Sequence, residues 1–187
     1  MKAYSDDIAL WQQMTSGRQN ALEILFKRYY PPMYHYAINI CQREEVVKDC
    51  LQDVFAYIWE KRENLSDPLS VKAYLLSATR RAVLKKLEKI RKIESLQQNI
   101  FPENEPGFFP LEMSPNFDDQ QQSQFAQVKF ALDKIPPRMR EALYLKINDS
   151  LSYNDIARIM KISPQVARNY VCDALHRLRN LTATVAE

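Results

Sequence analysis

The chain has 187 residues, with 26 lysines and arginines against 23 aspartates and glutamates, for a formal net charge of +3. That length accommodates one domain or two small ones, each with a modest core. Two glycines in all, Gly17 and Gly107, exclude a glycine-rich nucleotide loop, and long apolar runs at helical spacing point to an all-α fold. In chain order, a first helical block spans 6–96. Its opening helix carries Ile8, Leu10, Trp11 and Met14 and ends before Ser16-Gly17. A second helix places Ala21, Leu22, Leu25 and Phe26 on one side. Pro31-Pro32 is expected to interrupt or kink it, with the helical pattern resuming over 33–41. Over 44–61, Val47, Leu51, Val54 and Ile58 have the spacing of one buried stripe. Glu45, Asp49, Gln52, Asp53 and Glu60 fall on the other side. Asn64-Leu-Ser-Asp-Pro68 reads as a loop. A fourth helix over 71–93 is expected to turn Val71, Leu75, Ala78 and Ala82 inward.

Charge is unevenly spread. Residues 72–92 hold eight basic side chains against Glu88 alone, whereas 94–128 hold six acidic ones and no basic one. Within 97–122, Pro102, Pro106, Pro110 and Pro115 preclude a long helix and predict an extended linker. Phe101, Phe108, Phe109 and Phe117 either anchor that linker to a neighbouring surface or pack against the chain's own domains. A second block, 123–182, opens with Phe125, Val128, Leu132 and Ile135 as a stripe ended by Pro136-Pro137. A short helix over 138–147 and a turn over 148–150 follow.

The stretch 151–171 reads as a helix-turn-helix, the arrangement that sets a second helix into the DNA major groove. Ser152 caps the first helix, and Asp155 suits its electropositive start. Ile156, Ala157, Ile159 and Met160 give the apolar side, and small Ala157 permits close approach. After a tight turn at Lys161-Ile162, Ser163-Pro164 supplies an N-cap and a proline at the first helical position. Val171, Ala174, Leu175 and Leu178 are expected to face the core. Two packed helices alone would not imply DNA; the basic second helix, with Arg168, Arg177 and Arg179, does.

Cys41, Cys50 and Cys172 form neither a disulfide framework nor a metal pattern, since the count is odd, no Cys-x-x-Cys occurs, and His35 and His176 are the only histidines. They read as small apolar core residues in a reducing compartment. The polar start lacks a signal-peptide pattern, and the longest apolar run, 54–59, is too short for a bilayer. A cytoplasmic location without membrane insertion is expected.

Taken together, these motifs resemble the extracytoplasmic-function group of bacterial sigma factors, within the sigma-70 superfamily. Asp49-Cys-Leu-Gln52-Asp53-Val-Phe55 matches the family pattern Asp-x-x-Gln-(Glu/Asp)-x-Phe. Ala21-Leu-Glu-Ile-Leu-Phe-Lys-Arg-Tyr-Tyr30 looks like its opening helix, and Trp59-Glu-Lys-Arg62 and Val71-Lys-Ala-Tyr-Leu75 sit where the family has similar residues. In the second block, Ala131-Leu-Asp-Lys-Ile-Pro136, Arg140, Leu151-Ser-Tyr-x-Asp-Ile-Ala157 and Ile162-Ser163 are similar to the family signature. The chain departs from the pattern at Arg81 and Lys85, where asparagine and aspartate are frequent. It departs again at Val166, Tyr170 and Asp173, in place of a threonine and two basic residues.

The resemblance implies two small helical domains joined by a flexible linker, the C-terminal one a helix-turn-helix. Domain 6–96 would bind core RNA polymerase (its β and β′ subunits) and recognise and melt the downstream, minus-ten element. Domain 123–182 would read the upstream, minus-thirty-five element of promoter DNA. Asp49, Gln52, Asp53 and Phe55 become the polymerase-docking residues, through the clamp helices of β′; otherwise the acidic side is a solvated helix face. Phe55 and Trp59 are either core or partly exposed anchors. Asn64, Asp67, Lys72, Tyr74, Arg80, Arg81 and Lys85 become the melting set, although Asn64 and Asp67 are also ordinary turn residues. Gln165, Arg168 and Asn169 are candidates for base or phosphate contacts, and Arg177 and Arg179 for phosphates. Asp173 should point away from the DNA. An anti-sigma factor is expected as a partner. No catalytic residue, metal, cofactor or small-molecule substrate is read, so polymerase supplies the catalysis. Two alternatives stand beside this reading: a dimeric helix-turn-helix regulator acting without core polymerase, and a helical protein-protein adaptor.

Overall fold

A computed structural model describes residues 2–98 and 128–184, with side chains over 6–93 and 128–181. Among the described residues there is no strand. No described helix is long and apolar enough to cross a membrane. The chain divides into two compact units, 1–106 and 107–187.

The first unit contains α1 (Lys2–Thr15), α2 (Gln19–Cys41), α3 (Glu44–Glu60), a 3-10 turn at Arg62–Asn64, and α4 (Val71–Gln98). Gly17, at φ +93°, makes the turn out of α1, a backbone conformation that favours glycine. Gln42, left-handed at φ 52°, ends α2, and its N–H donates to the Ile38 carbonyl. Trp11, Met14, Leu25, Met33, Tyr36, Leu51, Ile58 and Leu75 fill the core. Full burial of one such aliphatic side chain contributes about 1.5–3 kcal/mol. Near the surface, buried Asp7 accepts from Arg28 Nη1 and from the Tyr29 hydroxyl, fastening α1 to α2.

Pro31 and Pro32 do not interrupt α2, which is continuous from Gln19 to Cys41. Each proline removes one intrahelical donor, but Tyr29, Met33, Tyr36 and Ala37 are buried on either side of the pair and hold both halves on the core. In α4, Ala78 and Ala82 are only half-buried, and the inner face runs instead through Val71, Leu75, Leu76, Thr79, Val83 and Leu87. Thr79 can lie there because its hydroxyl donates to the Leu75 carbonyl at 2.8 Å, which satisfies the buried polar group. The α3 stripe of Val47, Leu51, Val54 and Ile58 is buried as expected. Most of segment 97–122, with its four phenylalanines, lies outside the described residues; Gln97 and Gln98 belong to α4.

The second unit contains α5, of which residues 128–133 are described, then α6 (Pro137–Ile147), α7 (Tyr153–Met160) and α8 (Pro164–Thr184). Helices α6 and α7 both pack on α8. Buried Arg140 of α6 reaches Asp133 of α5 at 3.1 Å. Burial lowers the pKa of its guanidinium, and Asp133 opposes that shift. Ala131, Leu132 and Ile135 are buried, but Val128 is exposed, so the predicted stripe holds only in its second half. Phe125 lies outside the described residues.

Candidate nucleic-acid and polymerase interfaces

The α7–α8 geometry follows from local chemistry. Ser152 Oγ accepts the Asp155 backbone N–H at 3.1 Å and donates to the Asp155 carboxylate at 2.6 Å. The same carboxylate pairs with Arg158 at 3.1 Å. Lys161 takes the left-handed conformation at φ 54°, and the Ile162 N–H returns to the Ala157 carbonyl at 3.0 Å. That turn separates α7 from α8 by three residues, 161–163. Ser163 Oγ then accepts the Val166 N–H at 3.2 Å and starts α8 with Pro164 in its first turn. Ile156, Ala157, Ile159 and Met160 are all buried, as predicted.

On α8, Ala167, Val171 and Ala174 face inward, which leaves the opposite side to solvent. Leu175 is 42% exposed, a correction to its assignment as core; Ala167, one turn before Val171, takes that role. Gln165, Arg168, Asn169, Arg177 and Arg179 are exposed, and so is Asp173. Gln165 Nε2 donates to Asn169 Oδ1 at 3.0 Å, so the two amides form one presented pair. An exposed helix start carrying amides and arginine can supply bidentate contacts to base edges. Cys41 and Cys50 are buried, but Cys172 lies exposed on α8, against its reading as core.

In the first unit, Asp49, Gln52, Asp53, Glu45 and Glu60 are exposed along one side of α3. Asp49 reaches Lys86 of α4 at 3.8 Å, a distance at which an exposed pair holds weakly. Phe55 differs from Asp49, Gln52 and Asp53, which are exposed. It is 7% exposed, with its ring 4.9 Å from Phe26, so it belongs to the core rather than being a partly exposed anchor. Trp59 is half-buried beneath the Arg62 guanidinium, 4.6 Å away.

Of the melting set, Asn64, Asp67, Arg81 and Lys85 are exposed, whereas Lys72, Tyr74 and Arg80 are half-buried. Asn64 closes the 3-10 turn, and its N–H donates to the Lys61 carbonyl at 2.9 Å. Ser70 caps α4 through the Ala73 N–H at 3.2 Å. Burial raises the Tyr74 phenol above its ordinary pKa. Its ring meets Trp11 edge-to-face at 5.0 Å. Asp67 accepts from Gln12 Nε2 at 2.5 Å. Sequence reasoning missed both α1 contacts, since no local signal joins residues 55 or more positions apart. It also missed Tyr57, 56% exposed on α3 one turn beyond Asp53.

These surfaces occur in the order of two family profiles. Residues 25–93 match sigma-70 region 2, and residues 125–178 match sigma-70 region 4. The chain belongs to the sigma-70 family of sigma factors. Among curated relatives, RNA polymerase sigma factor CarQ of Myxococcus xanthus is 24% identical over 170 residues, covering 91% of this chain and 94% of its own. The ECF RNA polymerase sigma factor RpoE of Cereibacter sphaeroides is 23% identical over 180 residues, covering 94% of each chain. The fold is shared with the sigma factor RpoE solved in complex with the anti-sigma factor NepR from Bartonella quintana. There the TM-score is 0.64 at 21% identity, over 85% of this chain and 94% of that one. CnrH in complex with the cytosolic domain of CnrY gives 0.63 at 18%, over 95% and 97%. As a sigma factor, the protein binds core RNA polymerase and directs promoter-specific transcription initiation. Sigma factors are in general not enzymes.

Proposed function

We propose that the two units divide promoter recognition between them, and that the acidic side of α3 docks the factor on core polymerase. The observation that carries this reading is the placement of three chemically distinct exposed surfaces on one chain: acidic α3, basic α4 and the polar start of α8. Asp49, Gln52 and Asp53 offer carboxylates and an amide to basic residues of the β′ clamp. Such complementarity favours orientation and encounter rate. Phe55 supports that surface from behind. Arg81 and Lys85 on α4, with Lys72 and Arg80, neutralise phosphates of the opened strand. The loop bearing Asn64 and Asp67 receives a base that has left the stack, and Tyr74 contributes from beneath. Gln165, Arg168 and Asn169 read the upstream element, while Arg177 and Arg179 hold its backbone.

The functional domains in this proposal are 6–96 and 123–182, with 97–122 as linker. The factor works in the cytoplasm, performs no covalent chemistry and uses no metal or cofactor, because the reaction belongs to polymerase. An anti-sigma partner is part of the reading; it is supported by the RpoE relative from Bartonella quintana, solved with such a factor. A helix-turn-helix regulator acting without core polymerase would leave the acidic face of α3 without a task.

The division of labour is tested with a promoter-variant panel and permanganate footprinting. Arg168→Ala is expected to cost about 1–3 kcal/mol and to relax preference at one upstream position. Arg81→Ala and Lys85→Ala are expected to impair strand opening and leave upstream preference unchanged. Failure of Arg168→Ala to initiate on a pre-melted template, or altered upstream preference in Arg81→Ala, would contradict the assignment.

A further inference from the structure

Helix α1 lies ahead of the region 2 match, which begins at residue 25, yet it hydrogen-bonds the downstream-element loop and packs on the first turn of α4 that follows it. Gln12 Nε2 donates to the Asp67 carboxylate at 2.5 Å, across 55 residues of sequence. The neighbouring Trp11, fully buried, sets its ring edge-to-face with Tyr74 at 5.0 Å. Where α1 ends, a Cβ on Gly17 would stand 4.0 Å from Arg62 Nε, so the turn after α1 passes close to the 3-10 turn that carries Asn64. Arg62 is itself fixed, donating to the Trp59 carbonyl at 2.9 Å while covering that ring. Helix α1 thus holds the loop at Asp67 and the first turn of α4 at Tyr74.

We infer that α1 is a positioning element for downstream-promoter recognition, with Gln12 the positioning residue that fixes the Asp67 carboxylate. This rests on the reading of Asp67 as a base-contacting group. An exposed carboxylate on a short loop samples several rotamers, and a site that recognises an extruded base needs one of them. A single amide donor on a rigid helix selects that rotamer, and Asp67 retains acceptor capacity for a cytosine or adenine amino group. Gln12 touches no DNA in this scheme. Its effect therefore falls on discrimination at one position rather than on overall affinity.

The test uses holoenzyme assembled from purified core polymerase and the full chain. The probe is fork-junction DNA whose single-stranded downstream element is randomised, and bound molecules are sequenced to give a preference at each position. Gln12→Ala is expected to flatten preference roughly two- to tenfold at the same position that Asp67→Ala flattens, the range of one net hydrogen bond. Combining the two should add nothing to Asp67→Ala alone. Gln12→Glu, which sets two carboxylates against each other, should exceed Gln12→Ala. Thermal melting and core affinity should stay at wild-type values, because Gln12 is exposed. An unchanged profile in Gln12→Ala while Asp67→Ala loses preference would overturn the positioning role and leave the reading of Asp67 intact. Unchanged profiles in both would remove the reading of Asp67 and this inference with it. Uniform loss at every position, or additivity in the double variant, would mean that Gln12 acts merely through stability and would likewise overturn it.

Discussion

Phe55 and Asp53 are two residues apart on α3 and do different work. Asp53 is exposed, whereas the Phe55 ring is packed on Phe26 within the unit. A shared family motif therefore contains both a surface group and its internal support. Phe55→Ala should lower stability by about 3–5 kcal/mol, read from denaturant unfolding, because it leaves a cavity beneath the helix. Asp49→Ala combined with Asp53→Ala should leave unfolding unchanged and weaken binding in a titration against core polymerase. Core affinity unaffected by the double substitution would remove the docking surface. The sequence could assign the motif, but it could not say which member points inward. Position 55 follows the buried Val54 and lies one turn after Leu51, so it sits at the margin of the stripe, where spacing alone is ambiguous.

At the scale of elements, legibility followed locality. The caps and turn of α7 and α8 were readable because Ser152, Lys161 and Ser163 act on backbone groups within a few residues. Ser152→Ala should accordingly destabilise the second unit by about 0.5–2 kcal/mol, seen as a lower midpoint in thermal or denaturant unfolding. An unchanged midpoint would show that tertiary packing alone sets the start of α7. Where a local rule met packing, packing prevailed. Pro31-Pro32 breaks a helix in isolation, yet α2 continues because buried residues flank the pair. The α4 stripe was misplaced by one residue after Leu75, since polar Thr79 concealed the buried register that Val83 and Leu87 complete. On α8, Leu175 read as core by hydrophobicity, but small Ala167 and Ala174 are what let α8 approach its neighbours.

For the whole molecule, two helical units on one chain were legible from composition and from the order of motifs, while long-range contacts such as Gln12 with Asp67 were not. The proline spacing of 97–122 predicts that limited proteolysis cuts there first and leaves both units intact; uniform resistance would make the chain one body. The central claim is that this sigma factor gives core polymerase its promoter choice through surfaces on both units. Run-off transcription with purified core polymerase tests it most directly, on a genomic fragment library with and without the protein. Defined transcripts that appear only when the protein is added, and that fade in the Asp49→Ala, Asp53→Ala variant, are the predicted result. Sequence-specific DNA binding without core enzyme, together with an unchanged transcript pattern, would contradict the account.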